Sequence, residues 1–166
     1  MNLFLTSEFW YAVIRSTTPV LFSTLAIGIT SKCGIINMAS EGTMLIAALT
    51  GVIASAFSQS LIVGMIAGLL SGVIMAWLLG WFALKLRANI IVAGIAINLF
   101  ATGGTVFTLV TLTGDKSISS SLQSKVFPTV EIPLIKEIPF FGKILSGHNI
   151  LTYVALLMVV ILFVLL

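Results

Sequence analysis

Between Leu61 and Leu84 the chain runs for 24 residues without a charged side chain. As a helix rising about 1.5 Å per residue, that run reaches about 36 Å, enough to cross the roughly 30 Å hydrocarbon core of a bilayer. Inside lipid every backbone N–H and C=O must be satisfied by the protein itself, which leaves a helix as the conformation for an isolated run of this length. Further apolar runs cover about 10–31, 34–57, 90–112 and 150–166. The chain is 59% hydrophobic and 8% charged, against about 25% charge in a soluble domain. The expected fold is therefore all-α: a polytopic transmembrane helix bundle, with residues 1–166 in one transmembrane domain. Gly64, Gly68, Gly72 and Gly80 recur near four-residue spacing in the third run, a pattern that lets neighbouring helices approach closely. The last run is still apolar at Leu166, with no basic flank or aromatic belt to mark an exit. The expectation is the N-terminal part of a longer protein.

A polar interruption, Gly34 to Gly42, opens the second run. The apolar stretch after Gly42 reaches only to Phe57, roughly 16 residues or about 24 Å, so a crossing helix is expected to begin nearer Gly34. That places Asn37 and Glu41, four apart, on one face inside the membrane. A carboxylate there costs on the order of 2–3 kcal/mol and should face a bundle interior or a wet cavity. Two readings follow. In one, Asn37, Ser40 and Glu41 line or gate a substrate pathway; in the other, Ser40 caps the helix and Glu41 complements its positive end. Asn98, near the middle of the fourth run, is either a further polar point on that route or one partner of an interhelical hydrogen bond. In the first run, the hydroxyls of Thr17 and Thr18 are placed to satisfy backbone groups freed by Pro19.

Lys32 lies between the first two runs, and Lys85 and Arg87 between the third and fourth, with no acidic residue in either connection. The positive-inside rule makes these three the cytoplasmic-face basic residues and puts the N-terminus and the long 113–149 segment outside. Ser-rich 117–124 and the prolines 128, 133 and 139 exclude a continuous helix in that segment, which reads as an external cap or docking surface. Eight basic residues form no run, so nucleic acid is not an expected partner. No phosphate loop, metal-ligand cluster or hydrolase motif is present, and His148 stands alone in the outer segment. No catalytic residue, metal or cofactor is expected.

The stretch Arg15, Thr18-Pro19, Lys32, Gly34, Asn37, Glu41-Gly42 and Met44-Leu45 resembles the first motif of permeases in the branched-chain amino acid and sugar group of ABC importers. Leu86-Arg87-Ala88, Gly94, Ala96 and Asn98-Leu99 match a second block. Ile132-Pro133, Ile138-Pro139-Phe140, Gly142 and Tyr153 match a third. Within that group the likeness is greatest to a permease of nucleoside importers with a receptor of the basic membrane protein type. Two departures lie near the cytoplasmic face: Ser31 where an acidic residue is usual, and Asn89 where an aspartate is common. The resemblance implies a non-catalytic permease subunit of an ATP-driven importer in the bacterial plasma membrane. It would move nucleosides or a related small polar solute inward, surrounded by membrane lipid. It further implies a cytoplasmic ATPase subunit, a second permease subunit and an external lipoprotein substrate receptor, with a coupling loop for the ATPase beyond the fifth span. A secondary transporter would also place broken helices at mid-membrane, though with coupling-ion carboxylates. A structural membrane subunit would not require Asn37 and Glu41 to face a cavity.

Overall fold

A computed structural model of the chain describes residues 7–114, 124–130 and 146–165. The described elements are α1 (Ser7–Lys32), α2 (Ser40–Ser58), α3 (Leu61–Gly80, continued by a π-helical turn over Trp81–Lys85), α4 (Ile90–Thr113) and α5 (Ile150–Leu165). The described elements also include one two-residue strand pair, β1 (Thr129–Val130) and β2 (His148–Asn149). Four of the helices are long and apolar enough to span a membrane. The fold class is all-α.

The elements fall into two units, the first holding residues up to Lys32 and from Phe127 onward, the second Cys33–Val126. In the first, α1 packs on α5. Ala155 is fully buried, and Thr18 Oγ1 stands 3.1 Å from Thr152 Oγ1 across the two helices. β1 and β2 pair antiparallel, Thr129 opposite Asn149 and Val130 opposite His148. The register presents His148 to α1, where its ring stacks on Tyr11 at 4.2 Å. The Tyr11 hydroxyl donates to the Gly147 carbonyl at 2.7 Å. His148 is thus buried packing rather than the isolated outer residue that the sequence suggested.

One expectation for α1 changes. The described helix, Ser7–Lys32, encloses the expected 10–31 run and has Glu8 in its first turn, where a carboxylate suits the positive end of the helix. Thr17 and Thr18 donate to the Val13 and Ile14 carbonyls at 2.7 and 2.9 Å. The carbonyl that Pro19 leaves without an N–H donor is that of Arg15, four residues back, so these hydroxyls do not repair the proline's gap.

In the second unit α2 lies between α3 and α4. The turn Gln59–Ser60 reverses the chain, with Gln59 left-handed at φ 50°. α3 then returns along α2 so closely that a Cβ on Gly64 would stand 2.7 Å from the Ser55 Cβ and 2.8 Å from the Gly51 carbonyl oxygen. Thr50 and Ser71 share a hydrogen bond at 2.8 Å across the same seam. Ala39, Met75, Leu79, Ala93 and Ile97 form the buried core of this unit. Ser55 accepts a hydrogen bond from the Lys125 amide at 3.2 Å. The external segment expected over 113–149 otherwise lies mostly outside the described residues.

Candidate functional site

The candidate site is the start of α2. The chain leaves Lys32 through a turn with Gly34 at φ 79°, a left-handed conformation that glycine adopts without steric cost. It stays non-helical to Ala39. The helix therefore begins at Ser40 and not near Gly34. Its 19 residues still span about 28 Å, because Ser40–Gly42 at one end and Ser58 at the other extend the purely apolar stretch.

This correction moves Asn37 out of the helix, so Asn37 and Glu41 do not share a helical face. Asn37 Oδ1 instead accepts from the Ala39 amide at 3.0 Å. Such a local side-chain turn competes with helix, which is one reason the helix starts late. The N-cap position belongs to Ala39, which has no side-chain oxygen to cap with. Ser40 is the first helical residue, so the capping role foreseen for it is not performed from that position.

The cap comes from another helix. Asn98 of α4 accepts from the Gly42 amide through Oδ1 at 2.7 Å, and its Nδ2 donates to the Met38 carbonyl at 2.7 Å. One carboxamide thereby satisfies an orphan N–H of the first turn of α2 and a carbonyl of the preceding loop. Close approach makes it possible. A Cβ on Gly42 would fall 2.8 Å from Asn98 Oδ1 and 3.0 Å from the Ala101 Cβ, and one on Gly94 would fall 2.9 Å from the Met38 Cβ. Among the described residues no buried side-chain nitrogen or oxygen lacks a hydrogen-bond partner.

Asn98 is the ninth residue of α4, so the start of α2 is set about 12 Å along α4 from the latter's first residue. Glu41, the second helical residue, is exposed there, while Ser40 is half-buried beside it. Of the four residues singled out in the sequence, Asn37 and Asn98 are thus brought to the same helix start, Ser40 and Glu41 are part of it, and only Glu41 presents a charge.

Sequence reasoning passed over Met38, Gly42 and Gly94 as parts of the site. Only Gly94 carried a signal: Gly94, Asn98 and Ala101 lie at i, i+4 and i+7, a small–amide–small stripe on one face of an otherwise apolar helix, whereas Met38 and Gly42 take part through backbone groups that no sequence pattern marks. The basic residues end or follow their helices. Lys32 is the last residue of α1 and is exposed, Lys85 closes the π turn of α3, and Arg87 follows at φ 53°. Asn89 caps α4, accepting from the Ile91 amide at 2.9 Å. Asparagine and aspartate are equivalent N-caps, so this departure from the family pattern keeps the local structure.

The profile of the permease components of branched-chain amino acid transport systems matches residues 11–166. The chain belongs to this permease family. As a member with four helices able to span, it is a multi-pass protein of the plasma membrane. It is similar to a candidate glucose ABC transporter permease protein of Haloferax volcanii, 25% identical over 152 residues, covering 89% of this chain and 44% of the relative. It is also similar to a guanosine ABC transporter permease protein of Bacillus subtilis, 28% identical over 141 residues, covering 80% of this chain and 43% of the relative. The chain thus spans less than half the length of these curated relatives. No solved structure matches it significantly.

Proposed function

We propose that this chain forms part of the membrane route of an ATP-driven importer that moves nucleosides or a related small polar solute inward. Membership of the permease family over residues 11–166 carries the reading, and the guanosine permease of Bacillus subtilis supports the nucleoside. ATP hydrolysis falls to a cytoplasmic ATPase partner, solute capture to an external lipoprotein receptor, and the other side of the route to a second permease subunit.

In this reading Glu41 faces the route. The recessed start of α2 supports it, because a carboxylate at that depth requires water or a polar partner and should not face lipid. Asn37, Ser40 and Asn98 shape the backbone around it and offer further polar edges to a passing solute. Lys32, Lys85 and Arg87 mark the cytoplasmic face.

The experiment is uptake of radiolabelled guanosine and glucose by cells lacking their own carriers and expressing the full-length permease with its partners. Guanosine should accumulate in an ATP-dependent manner. The Haloferax volcanii relative favours a sugar as the second reading, and accumulation of glucose without guanosine would establish it in place of the first. At matched membrane expression, Glu41→Gln should reduce uptake at least tenfold, since it keeps size and hydrogen bonding but removes the charge. Normal uptake would take Glu41 off the route, leaving it only an interaction of about 0.3–1 kcal/mol with the helix end.

A further inference from the structure

We propose that the C-terminal end of α3 is a binding site for the headgroup of an anionic phospholipid, built by Trp77, Trp81, Lys85 and Arg87. Trp77 and Trp81 lie one turn apart, their rings 5.4 Å from centroid to centroid and tilted at 43°. Both are exposed, Trp77 at 62% and Trp81 at 44%. The Lys85 ammonium lies 5.8 Å above the Trp81 ring. The helix widens here: the Leu86 amide reaches back to the Trp81 carbonyl at 3.3 Å, and Arg87 turns the chain in a left-handed conformation.

The arrangement fits a lipid in each of its parts. The opposite face of α3, through Gly64 and Ser71, is closed against α2. The outward face presents Leu69, Leu70, Val73 and Ile74 in the turns before the tryptophans, all more than half exposed. That apolar row suits acyl chains, and indole rings at its end suit the interfacial depth, where tryptophan is enriched at membrane surfaces. The chain then carries two basic residues, Lys85 and Arg87, with no acidic residue anywhere from Trp81 to Asn89. The ring holds the ammonium by a cation–π interaction that leaves its N–H groups able to donate to a phosphate oxygen. A zwitterionic headgroup would bring its own cation toward Lys85 and Arg87, whereas a net negative one, such as phosphatidylglycerol, complements both.

Native mass spectrometry of the purified chain with equimolar phosphatidylglycerol and phosphatidylcholine tests this. Phosphatidylglycerol should be retained selectively, and retention should weaken as ionic strength rises. Removing each charge should reduce it by about fivefold, so Lys85→Gln/Arg87→Gln should fall by an order of magnitude or more. Lys32→Gln should bind as the parent does, and Lys85→Arg/Arg87→Lys, which keeps both charges, should retain most of the binding. If the double glutamine variant does not fold, the single variants read the same effect at about fivefold each. Equal retention of the two lipids by the parent, or undiminished retention by the glutamine variants, would overturn the proposal. So would unchanged lipid retention coupled with loss of association with an ATPase partner, which would make this end of α3 a protein-docking surface.

Discussion

Asn98 carries more of the site's geometry than any other side chain. Its two hydrogen bonds run to backbone groups 56 and 60 residues away in sequence, and each of those groups would otherwise sit at an uncapped helix start. Asn98→Ala should remove both bonds while leaving the apolar face of α4 intact. Interhelical hydrogen bonds in membrane proteins are worth about 0.6–2 kcal/mol each, so loss of the two should cost the variant about 1–4 kcal/mol in detergent-denaturation experiments. Asn98→Asp provides the contrast: its carboxylate can accept from the Gly42 amide but, when ionised, cannot donate to the Met38 carbonyl. It should restore helicity at the start of α2 only in part. Stability equal to the parent for both variants would show that the 2.7 Å geometry contributes nothing net. Little of this was legible locally. The polar character of Asn98 was plain in an apolar run, and an interhelical bond was one of its two readings, but nothing near Asn98 in the sequence identifies its partners as backbone atoms of another helix.

At the scale of elements, the glycine pattern of α3 was read correctly as a packing device, but not every member packs. A helix turns about 100° per residue, so each four-residue step drifts about 40° and the 16 residues from Gly64 to Gly80 accumulate about 160°. Gly64 accordingly faces α2, while nothing lies within 4 Å of a Cβ placed on Gly80. Gly64→Ala should therefore cost about 1–3 kcal/mol through overpacking against Ser55 and the Gly51 carbonyl. Gly80→Ala should be neutral or stabilising by up to about 1 kcal/mol, because it gains helix propensity in open space. Thermal unfolding of the two variants side by side checks both, and equal destabilisation would contradict the packing of α2 on α3. The start of α2 illustrates the opposite error. Hydrophobic length alone argued for a helix from Gly34, although Gly34 and Asn37 are both residues that break helices at their N-terminal ends. A cap supplied by α4 explains why the shorter helix is stable.

At the scale of the whole molecule, the lengths of the apolar runs made four helices long enough to span a membrane legible, three of them to within a few residues and α2 with its start misplaced near Gly34, because lipid leaves the backbone few alternatives. Orientation rests on a different force, the retention of basic residues on the cytoplasmic side, and here the sequence pulls both ways. Lys32, Lys85 and Arg87 argue for short cytoplasmic connections, whereas Lys116, Lys125, Lys136 and Lys143 lie in the segment assigned to the outside. The short connections should dominate, since the rule acts most strongly on short loops flanking spans. The native Cys33 is a ready reporter, being the sole cysteine, exposed, and adjacent to Lys32. In intact cells a membrane-impermeant maleimide should leave it unlabelled until the membrane is permeabilised. Ser60, in the turn at the far end of α2, should behave oppositely: Ser60→Cys in a Cys33→Ala background should label without permeabilisation. Labelling of Cys33 from outside together with protection at position 60 would invert the topology, move Lys85 and Arg87 to the external face, and require the 113–149 lysines to have set the orientation.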